Sequence, residues 1–130
     1  MFKSYGKLQI DNGVRIIVKL DFLLYYKRLI EMYHYNTLKL QIPKHLGHIT
    51  LINPKIHKNV NYDNAKKYIG KYIEFSYNPL EIYESRVNFW IPVISPQADL
   101  IKKECNVDDG KNYWGLHCTV GNMKDSNQMN

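Results

Sequence analysis

The sequence predicts an α+β domain on three observations: short runs in which apolar residues recur at every second position, two stretches with apolar residues at helical spacing, and turn-forming pairs between them. At 130 residues the chain is one folding unit, 1–130, with enough length for a real core and too little for two domains of ordinary size. Hydrophobic residues make up 45% and aromatics 13%, which excludes the composition of a disordered chain.

In the first strand, Val14 to Leu20, the residues Val14, Ile16, Val18 and Leu20 alternate with Arg15, Ile17 and Lys19, and Asp11-Asn12-Gly13 before it is a turn. Asp21 then caps a helix from Phe22 to about Tyr33, whose face Phe22, Tyr26, Leu29, Ile30, Tyr33 opposes Lys27, Arg28 and Glu31. A strand from Gly47 to Ile52 stops at Asn53-Pro54, and the polar stretch Asn59 to Gly70 holds one weak helical segment. Tyr72 to Tyr77 alternates again. Asn78-Pro79 turns the chain so that Leu80 to Tyr83 pairs back as a short strand, and Val87, Phe89, Ile91 and Val93 are one face of the next. Ser95-Pro96 opens a second helix, with hydroxyl cap, proline at the first helical position and the stripe Ala98, Ile101, Cys105; Asp108-Asp109-Gly110 ends it. Tyr113 to Val120 is the last strand, and 124–130 is a frayed polar tail.

No window approaches the roughly 18 to 20 apolar residues of a membrane span, and Met1-Phe2-Lys3-Ser4-Tyr5 lacks the apolar run of a signal peptide. Two cysteines, Cys105 and Cys118, sit inside apolar patterns as small hydrophobes. The expected compartment is therefore a reducing cytoplasm, without membrane contact. The formal net charge of +6 favours anionic partners without saying which anion.

Chemistry enters with the threonines. The chain has Thr37, Thr50 and Thr119, and the last two each lie two residues after a histidine; chance placement among five histidines gives about 0.1 such pair. The surrounding octets agree as well. His48-Ile-Thr-Leu-Ile-Asn53-Pro-Lys55 and His117-Cys-Thr-Val-Gly-Asn122-Met-Lys124 share His, Thr, Asn and Lys, with apolar residues in the second and fourth places, the mark of an internal duplication. On a strand, His and Thr of each motif project from one face and the residue between them from the other. Two such strands side by side about a pseudo-two-fold axis bring the imidazoles across a phosphate-sized cleft with the hydroxyls between.

Cleaving a phosphodiester requires one proton removed from the attacking oxygen and one delivered to the departing oxygen. Histidine performs both near neutrality, each transfer contributing roughly 10² to 10⁴ in rate. Thr50 and Thr119 are placed to hydrogen-bond the non-bridging oxygens as charge develops. No metal or other cofactor is expected. A zinc set from His45-x-x-His48 with His57, His117 or a cysteine has no standard spacing and no C-x-x-C beside it.

Paired His-x-Thr strands in a small α+β domain resemble the 2H phosphoesterase superfamily, which implies a bilobal, pseudo-symmetric fold of two antiparallel sheets with two main helices. Members of that superfamily process cyclic phosphates, 2′-5′ links or RNA ends. The segments Gly47-His-Ile-Thr-Leu, Leu116-His-Cys-Thr-Val-Gly-Asn-x-Lys124 and Gly70-Lys-Tyr-Ile-Glu-Phe-Ser-Tyr77 are similar to the phage anti-CBASS nucleases, which hydrolyse cyclic di- and trinucleotide immune signals. The resemblance implies acid and base roles for His48 and His117, phosphate contacts for Thr50 and Thr119, and a cyclic oligonucleotide as substrate. Lys- and Asn-rich, Ala-poor usage suggests an AT-rich genome and is compatible with a phage, in which case the compartment would be the host cell's cytoplasm. The alternatives are a 2′,3′-cyclic phosphodiesterase acting on RNA ends and a module that binds nucleotides without cleaving them.

For the bases, Trp90 is the expected platform, because Val87, Phe89, Ile91 and Val93 occupy the other face of its strand; stacking contributes roughly 1 to 3 kcal/mol per base. Trp114 has the parity of the core. Tyr113 shares the parity of His117 and is expected at the cleft rim, Lys19 is a second candidate phosphate contact, and Asn122 recurs with Asn53 as either a ligand contact or a turn former. The oligomeric state has no signal in the sequence.

Overall fold

The computed structural model describes residues 1–33, 47–84, 88–111, 113 and 115–122. Among these, β1 (Phe2–Ile10), β2 (Val14–Val18), β3 (His48–Ile52), β4 (Tyr72–Tyr77), β5 (Tyr83–Glu84), β6 (Asn88–Pro92) and β7 (His117–Asn122) form one antiparallel sheet in the order β4-β1-β2-β3-β7-β6-β5. Among the same residues three helices accompany it: α1 (Leu20–Tyr33), the single turn α2 (Asp63–Lys66) and α3 (Pro96–Glu104). The α+β class is as the sequence predicts. In place of two sheets there is one, because β3 and β7 join edge to edge at Ile49 and Cys118. The sheet curls until Ser76 of β4 exchanges both backbone hydrogen bonds with Ile94, just beyond β6, at 2.8 and 2.9 Å.

Strand alternation decides which face is covered. In β2, Val14, Ile16 and Val18 are buried while Arg15 and Ile17 are half-buried, and the same alternation runs through β3, β4, β6 and β7. The inward set meets Phe22, Leu23, Tyr26 and Ile30 of α1 and Ala98, Ile101 and Cys105 of α3 in one core. Phe22 packs edge-on against Phe75 and Tyr77 of β4, with ring centroids 5.7 and 5.1 Å apart. Among the described residues the helices therefore take one face and leave the other to polar and aromatic side chains.

Several sequence expectations are corrected. β1 has no counterpart in the hydrophobic pattern: its inward residues Ser4, Gly6 and Leu8 include one large hydrophobe, and the strand is held by ladders to β2 and β4 on both sides. Gly6 is required there, since a Cβ would lie 2.7 Å from the Ile17 carbonyl oxygen. α1 starts at Leu20, so Asp21 is in its first turn, favourable to the helix dipole, and does not cap it. Its buried stripe runs through Leu23, and Tyr33 is 80% exposed. β5 is only Tyr83–Glu84 and pairs with β6, not back onto β4, because the Asn78-Pro79 turn carries the chain past β4. β7 starts at His117, since Gly115 adopts φ +96 and interrupts the extension expected from Tyr113. The Ser95 cap holds: its hydroxyl oxygen accepts from Ala98 N at 3.1 Å, and its proton goes to the Glu74 carbonyl at 2.7 Å. Val87, Trp114 and 124–130 lie outside the described residues.

Candidate active site

Both His-x-Thr motifs lie on neighbouring strands at the centre of the sheet. Ile49 pairs with Cys118, both fully buried, and extending that antiparallel register by one residue sets His48 opposite Thr119 and Thr50 opposite His117. All four side chains are half-buried and point away from the core. The imidazoles are thus diagonal neighbours, with backbones roughly 7–8 Å apart, and each faces the other motif's hydroxyl. This refines the expected face-to-face arrangement into a diagonal one.

The two strands also share an irregularity. Across β2 and β3 the register steps from Arg15–Thr50 to Val14–Ile52, so Leu51 is an extra residue; across β6 and β7 it steps from Trp90–Thr119 to Phe89–Gly121, so Val120 is extra. Each bulge follows its threonine directly, and both strands turn two successive residues inward, Leu51-Ile52 and Val120-Gly121. A bulge re-aims the residues beside it, and matched bulges give both motifs the same local geometry. The sequence carries the signal, an apolar residue at both the fourth and fifth positions after each histidine counting it as first, Gly121 standing in for Ile52.

Around the first motif is a hollow of about 420 Å³ lined by Asp11, Asn12, Arg15, His48, Thr50, Ile52 and Asn53. Arg15, directly across from Thr50, is a site residue that the strand pattern alone does not single out. Its guanidinium donates to the Asp11 carbonyl at 3.1 Å and lies 3.4 Å from that residue's carboxylate. Around the second motif the wall is aromatic. Trp90 pairs with Thr119, its ring meets the His117 imidazole edge-on at 5.7 Å, and Tyr83 stacks on its other side at 4.8 Å and 21°. Trp90 therefore stands where the sequence places it, beside the site, and Tyr83 is an addition.

Burial holds the His117 imidazole below its ordinary pKa, opposed by a long 3.4 Å contact between Nδ1 and the Gly115 carbonyl. A proton on Nδ1 facing that carbonyl puts the ring's lone pair on Nε2, the atom that acts as base. Cys118, facing inward between His117 and Thr119, has its thiol pushed up to about 12 by burial and is packing.

The remaining candidates scatter. Lys19, one residue past β2, lines a separate hollow with Gly6, Lys7, Gln9, Ile17 and Tyr72. Tyr113 lies ahead of β7, so the parity argument does not reach it; its ring sits under the Lys102 ammonium at 4.1 Å, and its hydroxyl accepts from Lys102 at 2.9 Å. Asn122 ends β7 opposite Asn88, whereas Asn53 forms a turn, accepting from Lys55 N at 3.0 Å. Among the described residues no three metal-binding side chains gather, and His45 lies outside them. No helix there is long and apolar enough to cross a membrane.

Comparisons with protein-family models, with curated proteins and with solved structures find no match to this chain.

Proposed function

We propose that the protein is a metal-independent phosphodiesterase of the 2H type, opening 3′-5′ bonds in small cyclic oligonucleotides, and that in a phage it removes a second messenger of antiviral defence. The observation that carries this reading is the matched pair of bulged strands, which aims two imidazoles and two hydroxyls at one patch of the sheet face opposite the described helices. A structural role for the histidines has no use for that symmetry.

In this mechanism His117, kept neutral by burial, takes the proton of a ribose 2′-hydroxyl. The 2′ oxygen attacks the adjacent phosphorus, the bond from phosphorus to the 5′ oxygen breaks, and protonated His48 delivers its proton to that oxygen. The products are a 2′,3′-cyclic phosphate and a free 5′-hydroxyl. Thr50 and Thr119 donate to the non-bridging oxygens as charge builds, and Arg15 adds a cation beside Thr50. The Trp90–Tyr83 stack offers a face for a base next to His117.

The test is incubation with a panel of cyclic di- and trinucleotides in EDTA, read by chromatography. Chelator-resistant cleavage is expected, falling at least about 10³-fold in His48→Ala and in His117→Ala with the ligand still bound. Intact substrates sink the assignment and redirect the search to RNA ends bearing 2′,3′-cyclic phosphates; cleavage lost in EDTA sinks the two-histidine mechanism.

A further inference from the structure

The sheet registers define a row that crosses the sheet face opposite the described helices. From one side it reads Tyr72, Lys7, Ile17, His48, then across the motif seam Thr119, Trp90 and Tyr83. The motif pair sits in the middle. One flank is the aromatic stack already described; the other holds cations. Lys7 lies over the Tyr72 ring at 5.3 Å, and Lys7, Lys19 and Tyr72 border a hollow of about 240 Å³ with Gln9 and Gly6, separated from His48 by Ile17 alone.

We propose that Lys7 and Lys19 form a second anion subsite that holds a phosphate of the substrate other than the one being cleaved. The proposal rests on the phosphodiesterase reading and narrows it: a ligand must carry at least two phosphates to use both sites. Lys7 is two strand spacings from His48, ~10 Å, which suits a phosphate on the neighbouring nucleotide and exceeds what a mononucleotide spans from the cleavage point. Ile17 gives the intervening ribose an apolar floor with no competing hydrogen bond. Neither lysine has an ion pair with a carboxylate among the described contacts, whereas the nearby Lys3 lies 3.6 Å from Glu74. Both lysines are exposed, so their replacement leaves the core intact.

The experiment is calorimetric titration in the His48→Ala background, where turnover does not interfere, with linear pApA and with adenosine monophosphate. Adding Lys7→Ala and Lys19→Ala together should weaken pApA by about tenfold and reduce the slope of log affinity against log salt by one to two. Adenosine monophosphate should change by less than about twofold. Unchanged pApA affinity, equal weakening of both ligands, or no pApA binding at all overturns the subsite. Cleavage by the wild-type protein separates the two claims. Binding through the lysines without any cleavage of cyclic oligonucleotides leaves the subsite and removes the phosphodiesterase; cleavage with pApA affinity indifferent to the lysines does the reverse.

Discussion

At the scale of single residues, the two histidines of the motifs sit in different surroundings although their strands match. His117 is beside Trp90 and is desolvated; His48 borders the hollow that Arg15 shares. Because burial lowers the His117 pKa, the ring stays neutral as pH falls through the ordinary histidine value of ~6.5 and gains its proton only below that. With His117 as base, the acid limb of kcat/KM against pH should fall below 6.5, and a limb above it would remove His117 from that role. Tyr26 makes a separate point. It is fully buried, packed against Phe22 at 5.1 Å, and among the described residues its hydroxyl has no hydrogen-bond partner, while burial raises its pKa. An unsatisfied buried hydroxyl is costly, so Tyr26→Phe should raise the unfolding free energy by about 1 kcal/mol in urea titration. A loss of stability there would reveal a partner for the hydroxyl.

At the scale of elements, the strand bearing the first motif is anchored to the segment that leads into the second. His57 Nδ1 accepts from Asn53 N at 2.9 Å, directly after β3, and its Nε2 lies 2.9 Å from one oxygen of Asp109, whose other oxygen meets Lys102 Nζ of α3 at 2.7 Å. Lys102 in turn holds Tyr113. The Lys102 side chain is only 7% exposed, so removing its counter-charge leaves a buried ammonium with Tyr113 but no anion beside it. Asp109→Asn should cost about 2–4 kcal/mol by thermal or chemical unfolding and lower kcat through displacement of the two motif strands. A variant as stable as the parent would show that this cluster is ornamental to the fold.

The same elements show what the sequence reveals and what it conceals. β2, β4 and α3 are legible because alternation and the Ser95-Pro96 start each match a burial pattern one-sidedly covered by helices. β1 is hidden because a strand flanked on both sides can have Ser4 and Gly6 inside and still be held by backbone hydrogen bonds. The four motif residues are legible because repetition is visible in one dimension. Arg15 and Tyr83 are not, because only the pairing register sets Arg15 across from Thr50 and Tyr83 beside Trp90. Tyr113 shows the converse: parity counted along a strand fails where the strand has not yet begun.

At the scale of the whole molecule, charge and shape act together. The chain carries a formal +6, and one face of the sheet, free of helices among the described residues, presents Arg15, Lys7 and Lys19 on the same side as the motifs. A field of that sign speeds encounter with an anion and is screened within ~8 Å at physiological salt. For a cyclic dinucleotide, kcat/KM should therefore fall by roughly tenfold between low and moderate ionic strength while kcat changes little; a salt-independent kcat/KM would mean that association is not steered.

The matched bulges on either side of the Ile49–Cys118 pair have one more consequence. A ring-shaped ligand with its own dyad meets a histidine and a hydroxyl in the same relation whichever way round it lands, so reversed arrivals are not rejected at the door. What lies beyond the motifs is lopsided, with tryptophan behind one imidazole and arginine beside the other motif's threonine. On the phosphodiesterase reading, a ligand with that dyad has no wrong way round, and the lopsided surroundings only choose which of its two equivalent phosphates lies between the motifs.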